Sequence, residues 1–339
     1  MSLEKMFHLK ENNTTVKTEI MAGVTSFMTM AYILAVNPNI LAAAGMDHGA
    51  VFTATAVASF IGTLCMALFA NYPFALAPGM GLNAYFAYTV VLGMGYSWEV
   101  ALAAVLTEGI IFIILSCFNI REAIFNAIPF NLKKAVSVGI GLFITFLGLQ
   151  NAKIVIGGAT LVGLFSVDGY NKTLADGLTA SMSDAGITVL LAIFGVLITG
   201  ILIVKNVKGN ILWGILITWI LGIICQFAGI YIPNPDLGFY NLLPDFSNGI
   251  SIPSLAPIMF KFSLKGVPVL EFIIIVFAFL FVDLFDTLGT LIGVSAKADM
   301  LDSEGRLLRI KGALLADAVG TTCGACLGTS TVTSFVESA

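Results

Sequence analysis

Long runs of apolar residues recur along this sequence, and they restrict its fold more than any other feature. Eight runs have about the length of a helix that crosses a bilayer, roughly 20 residues. They lie at Ile20–Val36, Val51–Ala70, Val100–Phe118, Ala135–Leu149, Ile187–Val204, Ile211–Ile232, Pro268–Val294 and Ile310–Leu327. Only 11% of the residues are charged and the mean hydropathy is +0.98, whereas about 25% of residues are charged in a soluble domain. The sequence therefore predicts an all-α polytopic membrane protein.

Two further apolar segments are interrupted. Pro73–Met94 contains Pro78, Gly79 and Gly81, which disfavour an unbroken helix. The other segment runs over residues 328–339 and is too short for a full transmembrane helix. Irregular backbone is tolerated at membrane depth only where it is buried in protein or lines a cavity. Both are therefore predicted to be broken segments, each with a half-helix beside a binding cavity.

The Pro, Gly, Ser and Thr content of the broken segments locates their irregular backbone. We predict that Pro73–Ala77 and Thr329–Val332 are extended. The two stretches are expected to cross near the middle of the bilayer, each leading into its half-helix.

The cationic residues predict the orientation of the chain. If both broken segments cross, the sixteen Lys and Arg residues divide into twelve on one side and four on the other, namely Lys153, Lys172, Lys261 and Lys265. Because cytoplasmic loops carry the excess of Lys and Arg, the N-terminus is predicted to be cytoplasmic in a multi-pass protein of the cell membrane. The net charge of −4 and the lack of a basic block exclude nucleic acid as the main partner.

A weak internal repeat relates the start of the chain to its later part. The pairs Asn83 with Glu337 and Tyr32 with Asp286 are both 254 residues apart. Seven crossings separate Ile20 from Pro268, so the second copy would be inverted. Such repeats place a binding site at the midplane, between discontinuous helices. A first copy of seven segments predicts a second copy of seven, so the second repeat is expected to be incomplete in this chain.

Acidic residues lie in or beside the apolar runs, although no Lys or Arg lies in the interior of any run; Lys311 is the second residue of its run. They are Glu108, Asp283, Asp286, Asp317 and Glu337. A carboxylate at bilayer depth costs several kcal/mol, so such residues face a cavity and mark the path of an ion or substrate. Asp283 and Asp286 share one helix face, and their mutual repulsion favours a proton on one of them.

Other residues near these acids allow two interpretations. Asn83 follows a glycine-rich turn that lets backbone approach a ligand, but it equally suits a helix cap. Glu108 suits a structural and a functional role equally well. Asp317 is surrounded by small residues, which favours a packing or gating contact over substrate contact.

Four motifs resemble the AzgA-like branch of the nucleobase permeases, the purine permeases. They are EIMAGVTSFMTMAYILAVNP, ALAPGMGLNAYF, FVDLFDTLGTLIG and GTSTVTSFVESA. The resemblance implies fourteen segments in two inverted sevens, with a core domain that holds the site and a gate domain that moves against it. The core then comprises residues 1–130 and 267–339, and the first part of the gate comprises residues 131–266. It also implies proton symport of adenine, guanine or hypoxanthine, and no enzymatic activity.

The resemblance places the substrate at Asn83, Asp283, Asp286 and Glu337, where carboxyl and amide groups match the hydrogen-bonding edges of a neutral purine. The three acids are also the candidates for the coupled proton, and Asp286 is our choice for the substrate side. Aromatic residues near the motifs are candidates for stacking on the ring. They are Phe285, Phe335 and Tyr85.

Two rival functions remain open at this point. The acids suit a transporter of another small solute or of a cation, and the Asp283–Asp286 spacing also suits an intramembrane enzyme that holds Mg²⁺. Cys323 and Cys326 have the spacing of half a zinc site, but no second pair accompanies them. We therefore expect no metal and no cofactor; the expected partners are the purine, protons, the lipid bilayer and a second copy in a homodimer.

Overall fold

The computed structural model describes residues 6–12, 14–158, 160–175, 177–207, 209–243, 251–302 and 306–338. The α-helices are α1 (Val16–Met30), α2 (Ile33–Ala43), α3 (His48–Phe69), α4 (Met80–Ala84), α5 (Trp98–Cys117), α6 (Ile120–Ala127), α7 (Phe130–Asn151), α8 (Val167–Asn171), α9 (Ile187–Val204), α10 (Asn210–Phe227), α11 (Val269–Lys297) and α12 (Ile310–Leu327). Tyr85–Gly93 and Met182–Gly186 are π-helical, and Pro235–Leu237 and Val336–Ser338 are 3₁₀ turns. The strands are β1 (Leu76–Pro78), β2 (Val155–Gly157), β3 (Val162–Leu164) and β4 (Val332–Ser334).

Each of the eight predicted apolar runs lies mostly in helix, although Ile211–Ile232 extends past the end of α10 at Phe227. In the described part of the chain, six helical segments are long and apolar enough to cross a membrane. They are Val16–Ala43, His48–Phe69, Trp98–Cys117, Met182–Val204, Asn210–Phe227 and Ile310–Leu327. The chain is therefore a predominantly helical, multi-pass membrane protein, as the sequence predicted.

The first apolar run is divided. Helix α1 ends at Met30 and α2 begins at Ile33, so Tyr32 lies at the break between them. Local signals set other helix ends: Asp47 accepts a hydrogen bond from the Ala50 N–H at the start of α3 (2.7 Å). At the end of α12, Gly328 adopts a φ of +95°, which only glycine adopts without strain, and so releases the chain into β4.

The two broken segments pair with each other. Strand β1 is antiparallel to β4, with Leu76 opposite Ser334 and Pro78 opposite Val332, and both strands are buried. Extended backbone was predicted in both segments and is confirmed, although the strands lie one to three residues beyond the predicted stretches. The pairing has a physical reason: unwound backbone inside a bundle must satisfy its N–H and C=O groups, and each strand provides partners for the other.

The chain forms two compact units. The first comprises Met1–Leu142 and Ile252–Ala339, and in it α12 packs against both α3 and α5, while α3 and α12 contact β1 and β4. Close approach of α5 and α12 depends on Gly109, where a Cβ atom would lie 2.5 Å from Thr322 Oγ1. The second unit, Phe143–Ser251, contains the β2–β3 hairpin and the packed helices α9 and α10.

Candidate functional site

Acidic side chains converge inside the first unit, where α5, α11 and α12 meet the second broken segment. Glu108, Asp283 and Asp317 come from these three helices, and none of them is exposed to solvent. We call these three residues the acid cluster. Asp283 is the central residue of the 29-residue helix α11, so its carboxyl lies far from both helix ends.

A buried cation accompanies the acid cluster. Arg121 has no solvent exposure, and its Nη2 donates to Asp317 Oδ2 at 3.1 Å. Its Nη1 donates to the Leu314 carbonyl at 3.0 Å, and its guanidinium carbon lies 3.8 Å from the centre of the Phe112 ring. Arg121 is therefore bound on three sides.

The sequence analysis missed this ion pair. It found no cation in the interior of an apolar run and treated the acids as lacking a cationic partner, which is wrong for Asp317. Asn119, with φ of +59°, turns the chain after α5, and α6 then carries Arg121 back among the helices. An Arg two residues after a turn-forming Asn at a helix end is the local signal that points to such a return.

Thr287 connects two members of the acid cluster. Its Oγ1 lies 3.0 Å from Asp283 Oδ1 and 3.1 Å from Asp317 Oδ2. The Thr333 hydroxyl of β4 lies 3.2 Å from Thr287 Oγ1. Thr290, one turn further along α11, donates instead to the Asp286 carbonyl at 2.8 Å. The Asp283 side chain is thus tied to α12 and to the second broken segment.

Glu108 belongs to this group, a role that the sequence left open. Its Oε2 accepts a hydrogen bond of 3.0 Å from Thr331, the residue before β4, and its carboxyl faces that of Asp283. Thr331 also accepts, through its carbonyl, from the Gly79 N–H at 3.0 Å. Glu108 is therefore connected to both broken segments.

Asn83 also joins the broken segments. It lies in α4 with no solvent exposure, and its Oδ1 accepts a short hydrogen bond from Ser330. Its Nδ2 has no partner among the described residues. The side chain is not a helix cap, since Gly79 occupies the N-cap position of α4.

Asp286 and Glu337 differ from the acid cluster because both are half-buried. Helix α11 contacts the 3₁₀ turn that contains Glu337, and Asp286 lies against the start of α4: a methyl group on Gly79 would be 3.6 Å from Asp286 Oδ2. Glu337 accepts a short hydrogen bond from the Tyr32 hydroxyl. These two carboxyls and Tyr32 form the accessible side of the site.

The predicted stacking residues have different surroundings. Phe335 is buried, with its ring centre 6.4 Å from that of Tyr32. Tyr85 meets the edge of Phe279 at 4.8 Å. Phe285 is half-buried and lies 4.8 Å from Phe281.

A groove of about 660 Å³ lies beside α1, α2 and α3 and is lined mainly by apolar side chains, with Ser26, Ser59, Thr63 and Ser338 among its polar groups. It reaches Ser338, the neighbour of Glu337, but neither it nor a second groove of about 350 Å³ near Asn12 contains the predicted substrate residues. Within the described residues, no set of His, Cys, Asp and Glu side chains has the geometry to hold a metal ion. Cys323 and Cys326 are free thiols on α12.

The paired unwound segments carry polar side chains into a helical membrane bundle. The transmembrane domain of the cyanobacterial bicarbonate transporter BicA has the same fold, with a TM-score of 0.56 at 16% identity over 94% of this chain and 74% of that one. The chain belongs to the Permease family, whose Xan_ur_permease model matches residues 17–339. It is thus a permease rather than an enzyme, and the resemblance to the nucleobase permeases is confirmed.

Curated relatives align over nearly the whole chain. A putative permease of Methanocaldococcus jannaschii is 48% identical over 99% of this chain and 70% of its own length. The guanine/hypoxanthine permease PbuO of Bacillus subtilis is 42% identical over 98% of this chain and 71% of its own length. The adenine permease AdeP of Escherichia coli is 38% identical over 99% of this chain and 68% of its own length.

Proposed function

We propose that this permease imports purine nucleobases across the cell membrane by proton symport. The observation that carries the proposal is the accessible side of the site, where half-buried Asp286 and Glu337 lie at the paired broken segments. Relatives named as adenine and guanine/hypoxanthine permeases support a purine as the substrate.

The chemistry of the site suits a neutral purine. Ring N–H and exocyclic amino groups are donors that a carboxylate accepts, and the Asn83 amide supplies a donor for a ring nitrogen or keto oxygen. An anionic substrate would require a cation, and Arg121 is already engaged by Asp317 and the Leu314 carbonyl. Of the stacking candidates, we favour Phe285 because it is half-buried and adjoins Asp286, whereas Phe335 is buried against Tyr32.

Transport would proceed by alternating access between a core and a gate domain. The core would comprise residues 1–130 and 267–339, and residues 131–266 would form the first part of the gate. The division into two compact units supports this proposal, because the larger unit contains both stretches assigned to the core. The proposal includes a cytoplasmic N-terminus and a homodimeric assembly.

The inverted repeat is part of the same proposal. The order of elements supports it: α1, α2 and α3 precede β1, and α11 and α12 precede β4. Residues 269–297 of α11 correspond, at the offset of 254 residues, to 15–43, the range of α1 and α2. Antiparallel pairing of β1 with β4 is the geometry expected where two inverted copies meet.

Uptake of radiolabelled adenine, guanine and hypoxanthine into proteoliposomes tests the proposal, with the pH and sodium gradients imposed separately. We expect accumulation of at least one purine when the outside is acidic, and no response to sodium. Asp286→Asn is expected to weaken purine binding by about tenfold to a hundredfold, the scale of a hydrogen bond to a charged group. Absence of purine uptake by the wild-type protein, or an Asp286→Asn variant with wild-type binding, would contradict the proposal.

A further inference from the structure

The acid cluster contains more negative charge than its surroundings can compensate. Glu108, Asp283 and Asp317 are fully buried, and Arg121 is the cation that touches the cluster, through Asp317. Three ionised carboxylates and one guanidinium would leave two negative charges away from water. Uncompensated buried charge is costly, and in practice a group in that position binds a proton.

The carboxyls of Asp283 and Asp317 have too few hydrogen-bond donors. Thr287 has a single hydroxyl proton, yet its oxygen lies within 3.1 Å of both Asp283 and Asp317. It can donate to only one of them. Asp317 already accepts from Arg121, so it is the acid best satisfied as a carboxylate. Among the described residues, no charged donor contacts Asp283.

Three carboxyl oxygens of the cluster have no hydrogen-bond partner among the described residues: Glu108 Oε1, Asp283 Oδ2 and Asp317 Oδ1. Two of them belong to the carboxyls of Glu108 and Asp283, which adjoin each other in the cluster. A single proton would make one of these carboxyls the donor and the other the acceptor. It would satisfy both oxygens and remove one of the buried charges.

We propose that Glu108 and Asp283 together hold one exchangeable proton and that this pair is the coupling site of transport. The proposal rests on the proposed function and divides the acids by role: Asp286 and Glu337 contact the purine, whereas Glu108 and Asp283 carry the proton. Charged and titratable groups face the pair from the neighbouring elements, namely Asp286 from α11, Asp317 from α12 and Arg121 from α6.

Threonine hydroxyl groups lie between the proton-carrying acids and the acids proposed to contact the purine. Thr333 touches Thr287, which contacts Asp283, and its hydroxyl also lies near the Asp286 carboxyl. Thr331 donates to Glu108 from the second broken segment. In the cycle, an external proton forms the O–H bond of the pair before the purine is carried inward. That bond then breaks and the proton passes to water on the cytoplasmic side.

Glu108→Gln separates binding from coupling, because it preserves the shape of the side chain and removes its titration. We expect purine binding within about threefold of the wild type, but independent of pH. Exchange of purine between the two sides of the vesicle should persist, while accumulation driven by a pH gradient should be lost. Glu99→Gln is the matched control: it is the same substitution at the start of the same helix, outside the cluster, and should behave as the wild type.

Infrared spectroscopy provides a readout that needs no substrate. The carbonyl stretching band of a protonated carboxyl should be present in the wild-type protein at neutral pH. It should be lost or shifted in Glu108→Gln and in Asp283→Asn, and unchanged in Glu99→Gln. If Glu108→Gln is not recovered folded, pH-driven accumulation and the infrared band are measured on Asp283→Asn and Glu108→Asp instead.

Three outcomes would overturn the proposal: pH-driven accumulation by Glu108→Gln with wild-type pH dependence, an infrared band unaffected at both positions, or wild-type accumulation driven by sodium instead of protons. A failure of the proposed function looks different. If the wild type binds no purine but the infrared band is lost in Glu108→Gln, the proton pair stands and the substrate assignment fails.

Discussion

Two aspartates three residues apart on α11 have different environments. Successive helical residues are rotated by about 100°, so Asp283 and Asp286 share a face but point to different neighbours. Asp283 is fully buried and contacts Thr287, whereas Asp286 is half-buried at the start of α4. This difference supports Asp286 as the substrate ligand and Asp283 as a proton carrier.

Glu337 should contribute to purine binding through its charge. Glu337→Gln replaces an anionic acceptor with a neutral group, so binding should weaken by about 1.5–3 kcal/mol, or about tenfold to a hundredfold. Tyr32→Phe removes the hydroxyl that donates to Glu337 and should have a smaller effect, about 1 kcal/mol. Equilibrium binding of radiolabelled purine measures both. Glu11→Gln, at a side chain that is 70% exposed, is the control, and unchanged affinity in Glu337→Gln would refute the assignment.

At the scale of elements, close helix packing holds the broken segments in place. Helices α3 and α12 run along each other and contact β1 and β4. Gly62 of α3 faces Leu76 of β1 and Val332 of β4, where a Cβ atom would lie 3.1 Å from each. Small residues at this contact let the helices approach the paired strands closely.

Gly312→Ala should separate α12 from α3. Its Cβ would lie 2.4 Å from the Phe69 carbonyl oxygen, so the backbones must move, at a cost of about 1–3 kcal/mol. Gly139→Ala is the control, because nothing lies within 4 Å of a Cβ at that position in α7. Thermal unfolding in detergent should show a lower midpoint for Gly312→Ala only. Equal midpoints for the two variants would mean that the contact tolerates a methyl group.

At the scale of the whole molecule, the orientation in the membrane follows from the distribution of Lys and Arg. We predict that Lys172 is external and Arg306 cytoplasmic, and both side chains are exposed. In a Cys117→Ala background, which removes the exposed native thiol, Lys172→Cys should react with a membrane-impermeant maleimide in intact cells. Arg306→Cys should react only after permeabilisation. The reverse pattern would place the N-terminus outside.

The sequence by itself determined the helices, the interruptions and the acidic positions. Helix length and apolarity are local properties, and the Pro78–Gly79 break prevents a continuous helix wherever the segment lies. The positions of Asp283, Asp286 and Glu337 within apolar surroundings were equally visible, because a carboxylate stands out in such a run.

Only the tertiary structure decided which of these groups meet. Arg121 and Asp317 are 196 residues apart, and Tyr32 and Glu337 are 305 residues apart. Their contacts depend on the turn at Asn119 and on the break between α1 and α2. Such contacts are set by how helices pack and cross: the sequence marks the turn before Arg121, but not the distant acid that the side chain meets. For the same reason, the proposed pairing of Glu108 with Asp283 depends on the packing of α5 against α11.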